Sequence, residues 1–244
     1  MERDLTMERG ILGLAPLLQQ LDRARALLLE AQPTRLLTIG GDCGVEVAPI
    51  SYLNQRYDGS ITVLWFDAHG DLNTPDSSPS GHFHGMPLRI LCGEGEPEFL
   101  SRCFSTLRPE QVLLVGGRDF DAAETQFIDR HTLKCIAPAE LVAEARNSEA
   151  SNSLEWERQQ RHAQRVYIHL DLDVLDPDAF PYVSYNVPAG LSVELLVQIL
   201  QTIAQRYAVV GMSVTEYIPE GEAGLEPIQQ LLEAGFQWER SRWR

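Results

Sequence analysis

Basic residues are in short supply: 20 Lys and Arg stand against 35 Asp and Glu, a formal charge of −15 at pH 7. A surface of that sign repels nucleic acid and anionic membranes, so neither is expected as a partner. Cysteines are also few, at Cys43, Cys92, Cys103 and Cys135. None forms a CxxC pair, which removes a thioredoxin-like site and a zinc ribbon. No apolar run is long enough to cross a bilayer. No cationic stretch followed by an apolar run opens the chain, so no secretory signal is read. The GxGxxG fingerprint after a strand is missing too, which counts against a nucleotide-binding α/β protein. The expectation is a cytoplasmic protein with reduced thiols.

What is present is a chain of 244 residues, 44% of them hydrophobic. That suits one large domain, residues 1–244, with a full core. Apolar runs alternate with helical patterns. Leu14, Leu17, Leu18, Leu21, Leu27 and Leu28 recur at helical spacing and make one apolar face, on a helix starting near Gly10. Short buried strands are expected at 35–39, 61–66, 111–115, 166–170 and 209–214, and a helix from Val193 to Tyr207 behind a Ser192 cap. Near-continuous apolar strands separated by helices mean a mainly parallel central sheet flanked by helices, an α/β fold of three layers. Cys43, Asp67, Arg118, Asp171 and Glu216 each follow a strand. Sites in such sheets form beyond the carboxyl ends of the strands, so these distant groups can converge on one edge.

Two strings concentrate acids at strand ends: Asp67-Ala-His69-Gly-Asp71 and Asp171-Leu-Asp173-Val-Leu-Asp176-Pro177. Alternate residues point to one side if the chain stays extended. Clustered carboxylates repel one another unless a cation lies between them. Oxygen donors with an imidazole suit Mn²⁺ or a similar divalent ion, and bridging carboxylates would hold two ions. Either string alone could be a solvated loop; the two together favour metal.

These strings, with Gly40-Gly41-Asp42-Cys43, Ser80-Gly-His-Phe-His84-Gly-Met-Pro87 and Thr215-Glu216-Tyr-Ile-Pro219, resemble the ureohydrolase family of arginase, agmatinase and formimidoylglutamase. The resemblance runs from about Leu36 to Pro219. It implies an arginase-like fold and two Mn²⁺ ions bridged by Asp67 and Asp171. His69 and Asp173 would complete one ion's ligands, Asp71 and Cys43 the other's. A metal-bridging hydroxide would attack the guanidinium carbon, Glu216 would orient the guanidinium, and His84 would shuttle protons to the leaving amine. The string from Gly117 to Glu124 looks like the arginase segment whose acids bind the substrate's α-amino end, placing Asp121 and Glu124 there. Asn73, Ser78 and Ser80 fall where arginases contact the α-carboxylate. The alternative is a polar loop with helix-capping acids.

The implied activity is hydrolysis of the guanidino C–N bond of a small-molecule substrate, Nω-hydroxy-L-arginine or L-arginine, giving ornithine with hydroxyurea or urea. Agmatine hydrolysis and a non-catalytic metal- or arginine-binding homologue are the competing readings. A homo-oligomer is left open.

The family pattern breaks at Cys43, where arginases carry His. Ligation of a weak second Mn²⁺, selection of a softer metal and a protonated thiol with a single firm ion all stay open, beside a small buried apolar Cys. The change is similar to a feature of the Nω-hydroxy-L-arginine amidinohydrolase branch. Family members also begin with another strand before the first helix, which the pattern here does not show. Asp176 is read as a turn-former and Asp42 as structural. His82 has no assigned role, and His131, His162 and His169 are read as ordinary helix, surface or core residues.

Overall fold

The structure, a computed structural model, describes residues 5–146 and 164–236. His162 and the tail from 237 to 244 lie outside the described residues. A two-stranded ribbon, β1 (Met7–Glu8) and β2 (Ile11–Leu12), comes first. Helix α1 therefore starts at Leu14 rather than near Gly10, because Gly10 and Gly13 take the left-handed turn conformations that close the ribbon and its exit. Leu14, Leu18, Leu21 and Leu28 are buried along α1 (Leu14–Ala31), whereas Leu27, expected on the same face, is 66% exposed.

The remaining elements follow in order: β3 (Leu36–Ile39), α2 (Val47–Arg56), β4 (Thr62–Phe66), α3 (Pro87–Leu91), α4 (Pro97–Leu100), β5 (Val112–Val115), α5 (Ala122–His131), β6 (Lys134–Ile136), α6 (Pro138–Arg146), β7 (Arg165–Leu170), α7 (Val193–Arg206), β8 (Ala208–Val214) and α8 (Leu225–Gly235). The five expected strands are present within a residue of their expected ends, but β3, expected to be buried, is an edge strand with no buried residue and Ile39 72% exposed. Strand β6 was not expected, being three residues long at an edge with Cys135 exposed. The sheet has six strands in the order β3-β8-β7-β4-β5-β6, all parallel.

Period-two alternation sorts the side chains of the central strands. Val63, Trp65 and Tyr167 face a core shared with α1, α2, α3 and Phe127 of α5. Leu64, Phe66, Val166, Ile168 and Leu170 face the opposite core, shared with α7, α8 and Leu141 of α6. Ser192 caps α7 by accepting from Leu195 N at 3.2 Å, as expected. The chain runs outward from β4 to β5 and β6, then returns to β7 and β8 on the other side of β4. The β4–β7 seam is thus the switch point at which a site is expected.

The β7–β8 ladder slips between Val166 and Tyr167, so Tyr167 pairs with Gly211. A Cβ at Gly211 would lie 2.3 Å from the Tyr167 ring and 2.9 Å from Leu53. Gly211→Ala should therefore destabilise the protein by about 1–3 kcal/mol through overpacking. The urea midpoint measures it, and an unchanged midpoint would show that the ring moves aside freely.

Candidate metal and active site

Phe66 and Leu170 pair at the carboxyl ends of β4 and β7. The next residues, Asp67 and Asp171, are 1% and 3% exposed. Asp67 Oδ2 accepts from Trp65 Nε1 at 3.0 Å, and Oδ1 accepts from His69 N at 2.7 Å. His69 Nδ1 lies 2.9 Å from Asp173 Oδ2 and 3.5 Å from Asp67 Oδ1. Asp173 Oδ1 accepts from Ala68 N at 3.0 Å, tying the two strings together.

The strings converge without staying extended, contrary to the condition set from sequence. Asp171 caps a 3₁₀ turn, Leu172–Val174, accepting from Asp173 N at 2.7 Å. Asp71 turns the backbone at φ +53° and is 4% exposed, with Oδ2 lacking any hydrogen bond.

Cys43 reaches the same place from β3. Gly40 N donates to Val214 O, continuing the sheet, and the Asp42 carboxylate accepts from Gly44 N at 2.9 Å to start a 3₁₀ turn. Asp42 is thus structural, as read. Cys43 is 1% exposed. Its thiol donates to Asp171 Oδ2 at 3.0 Å and lies 3.3 Å from Thr215 Oγ1 and 3.5 Å from His169 Nε2. Among the described residues, two groups have donor atoms within 4.8 Å of one another: Cys43, Asp67, His169 and Asp171, and Asp67, His69 and Asp173. Asp67 belongs to both; Asp71 belongs to neither.

His84 Nδ1 faces Glu216 Oε1 at 3.5 Å. Glu216 sits at φ +64° with its N–H donated to Gly41 O at 2.7 Å. Non-glycine residues with positive φ store strain that surroundings must hold; Asp71 and Glu216 are two of the seven such residues among those described, the others being Arg9, Gln32, Asp58, Thr132 and Ala189. Tyr185 stacks on His84 at 5.1 Å and meets His69 edge-on at 6.3 Å. A cleft of about 450 Å³ opens there, lined by Asp42, His82, His84, Tyr185 and Glu216 among others.

The arginase-family model matches residues 4–226 of this chain. The arginase of Staphylococcus aureus (strain COL) is 37% identical over 183 residues, which are 75% of this chain and 60% of that protein. The chain belongs to the arginase family. The arginase of Bacillus subtilis (strain 168) is 33% identical over 158 residues, covering 64% of this chain and 52% of that protein. This arginase-family chain thus spans about 60% of the length of the S. aureus relative. The Entamoeba histolytica arginase, solved in complex with L-ornithine, has the same fold at TM-score 0.85 and 22% identity, covering 98% of this chain and 82% of that one. Formimidoylglutamase of B. subtilis superposes at TM-score 0.68 with 22% identity, covering 88% and 64%.

In this arginase-family site, burial pushes Asp171 well above the usual carboxylate range, and Asp173 and Asp67 add repulsion. Burial does the same to Asp71, beside Asp67 and Glu124, and raises Asp173 to about 6. The Cys43 thiol is pushed up by burial and by Asp171. Burial also works on Asp67, but hydrogen bonds from His169 and His69 outweigh it and hold that carboxyl low. His69 is pushed up to about 12: burial opposes, and Asp173 and Asp67 prevail. Packed carboxylates, an unpartnered Asp71 oxygen and nearby nitrogen and sulfur donors fit a divalent cation.

The remaining predicted residues form a brace beside this cluster. Glu124 is 3% exposed; Oε1 accepts from Leu72 N at 3.0 Å and Oε2 from Asp121 N at 2.9 Å. Asn73 Nδ2 donates to Asp121 Oδ2 at 2.8 Å, and Asn73 Oδ1 accepts from Ser77. Ser78 and Ser80 accept from Gly81 N and His82 N, and Ser80 is exposed.

Arg118 turns away from the cluster. Its guanidinium donates to the carbonyls of Gly116, Asp173, Val174, Leu175, Val187 and Pro188, bracing the loop after β7. Asp176 accepts from Asp178 N and Gly190 N, a turn-former as read. Sequence reasoning missed His169, Thr215, Tyr185 and Glu46. For His169 the signal was there: it is two residues before Asp171 on a strand, so both point the same way.

These shifts set a pH dependence. Raised acids retain protons in the folded state that the unfolded chain has released. His69, raised to about 12, and His169, raised to about 9 against burial by Asp67 and Glu46, act in the same direction: their contribution is full below about pH 6.5 and lost as pH rises. Stability of the metal-free protein should therefore fall from about pH 6 to 9, by up to about 1.4 kcal/mol per pH unit for each unmatched proton. Bound divalent cation should flatten the curve. Thermal melts with and without chelator decide it, and two parallel curves would contradict the charge assignment.

Proposed function

We propose that this chain is a binuclear-metal hydrolase cleaving the guanidino C–N bond of an arginine-like amino acid, Nω-hydroxy-L-arginine or L-arginine, to ornithine plus hydroxyurea or urea. The observation that carries this reading is the pair of donor groups sharing Asp67, linked through Tyr185, which meets both His69 and His84, to the His84–Glu216 pair that lines a cleft. Relatives at 37% and 33% identity that are named arginase support it.

Asp67 and Asp171 would bridge two Mn²⁺ ions, with His69 and Asp173 on one and Asp71 and Cys43 on the other. When bound, the ions supply a nucleophile by lowering the pKa of water toward neutrality. Glu216 pairs with the planar guanidinium and orients it. Its Oε1 faces His84 Nδ1 at 3.5 Å without a hydrogen bond of normal geometry. His84 holds the proton that the leaving amine requires. Burial works against its charge, but the Glu216 carboxylate outweighs it and raises its pKa, favouring the imidazolium. Tyr185, stacked on His84, restricts the ring and narrows the cleft. Asp121 faces the α-ammonium, and Glu124 stiffens its loop while each carboxylate oxygen keeps a further lone pair. Asn73, Ser78 and Ser80 are the groups for the α-carboxylate.

A second reading, agmatine hydrolysis, has one observation in its favour: the carboxylate side is the part least free to bind. The Asn73 amide is already engaged with Asp121 and Ser77. A substrate without a carboxylate would make no demand on it.

The test is product analysis with Mn²⁺-reconstituted protein and arginine, Nω-hydroxyarginine or agmatine. Ornithine is expected, and putrescine formed faster than ornithine would favour the second reading. No product from any of them would leave a metal- or arginine-binding homologue. His84→Ala should keep bound metal and lower turnover by about 10²–10⁴-fold. Asp171→Asn should lose metal and activity together; metal retained at full stoichiometry would remove Asp171 from the bridge.

A further inference from the structure

His169 is an imidazole that the proposed reaction does not use. It is 0% exposed, and Trp65 stacks on it with ring centroids 3.7 Å apart. Its two nitrogens face different surroundings. Nε2 lies 3.5 Å from Cys43 Sγ and 3.8 Å from Asp67 Oδ2, on the donor cluster. Nδ1 points the other way, 3.3 Å from Ser213 Oγ and 3.4 Å from Glu46 Oε1.

Glu46 is the second observation. It is 0% exposed, neither carboxylate oxygen has a hydrogen bond of normal geometry, and the Tyr167 hydroxyl is its other polar neighbour. Such a group is costly to bury unless something compensates it. Its ion-pair contact among the described residues is His169. A carboxylate behind one imidazole nitrogen, with the other nitrogen turned to a cluster of anionic donors, is how metal-binding histidines are oriented and made more basic. Cys43, Asp67, His169 and Asp171 bring sulfur, nitrogen and oxygen donors within 4.8 Å of one another, a separation one ion can span. Zinc-type bonds of about 2.0–2.3 Å set that span.

We propose that His169 Nε2 is a ligand of the metal site that contains Cys43, held in place through Nδ1 by Glu46, and that this site takes Zn²⁺ or Co²⁺ in preference to Mn²⁺. A thiolate with one imidazole and two carboxylates is a softer set than the Asp67–His69–Asp173 group, and at this site it replaces the Mn²⁺ and the Asp71 ligand that the family resemblance implies, Asp71 lying outside both donor groups. The two sites of this chain therefore differ in kind, and the harder ion belongs to the second. The proposal rests on the metal-binding part of the functional reading and not on the identity of the substrate.

The experiment is cobalt titration of the metal-free full chain, followed by absorption and by metal analysis. The wild type should bind two Co²⁺. One of them should show a thiolate-to-cobalt charge-transfer band with the intense visible bands of four-coordinate cobalt. Mn²⁺ should compete poorly for that ion. His169→Gln should lose that ion and its band while the other ion stays. Cys43→Ser should lose the charge-transfer band. Glu46→Gln, a smaller change, should keep the stoichiometry and weaken the spectroscopic site about 10–100-fold, so the idea stays testable if His169→Gln does not fold. An unchanged band and affinity in either the His169 or the Glu46 variant would overturn the proposal and leave His169 a packing residue. If both ions and the band behave as expected but no guanidino compound is hydrolysed, the functional reading fails and this assignment stands.

Discussion

Parallel pairing of β4 and β7 sets Phe66 beside Leu170, so the next residues on each strand, Asp67 and Asp171, meet where there is almost no water. Two buried carboxylates cannot both hold full charge at close range without compensation. His69 and His169 relieve Asp67, which stays ionised, whereas Asp171 and Asp71 are driven toward their protonated forms. The rest of the site answers this repulsion. Backbone N–H groups of His69, Ala68 and Asp173 are spent on carboxylate oxygens, and what remains is a set of donors matched to cations.

Holding that arrangement takes rigidity from outside it. Arg118 gathers the carbonyls of the loop after β7 and so fixes the turn that carries Asp173. Glu124 accepts from Leu72 N and from Asp121 N, the N-cap of its own helix, which pins the backbone just after Asp71. Glu216 is held by Gly41, tying the β8 end to the loop that supplies Cys43. The positive φ values at Asp71 and Glu216 are maintained by these contacts, and strain of this sort gathers at functional sites. Each brace joins elements far apart in the chain, so loosening one should disturb more than one donor.

The layered α/β architecture was legible because strands buried on both faces read as unbroken apolar runs. The short edge strand β6, Lys134–Ile136, escaped because its Lys and exposed Cys135 break that signal. Leu27 followed the helical period of α1 yet is exposed, since periodicity marks a face and not how far the neighbouring layer extends over it. The acids of the two strings were legible from their spacing at strand ends. Arg118 shared that position and still turned to backbone carbonyls, which position alone could not reveal.

By itself the sequence determined the fold class and the placement of the two acidic strings at strand ends of one sheet edge, since apolar runs and strand-end position are local properties of the chain. Tertiary structure alone decided that His169 lies between Cys43 and Glu46, within 3.5 Å of each. That outcome depends on which strands are neighbours and on how a buried charge finds its partner across the core. It also decided that Asn73 and Glu124 spend their polar atoms on the protein's own loops, because hydrogen-bond partners 48 to 52 residues apart are chosen by packing and not by spacing.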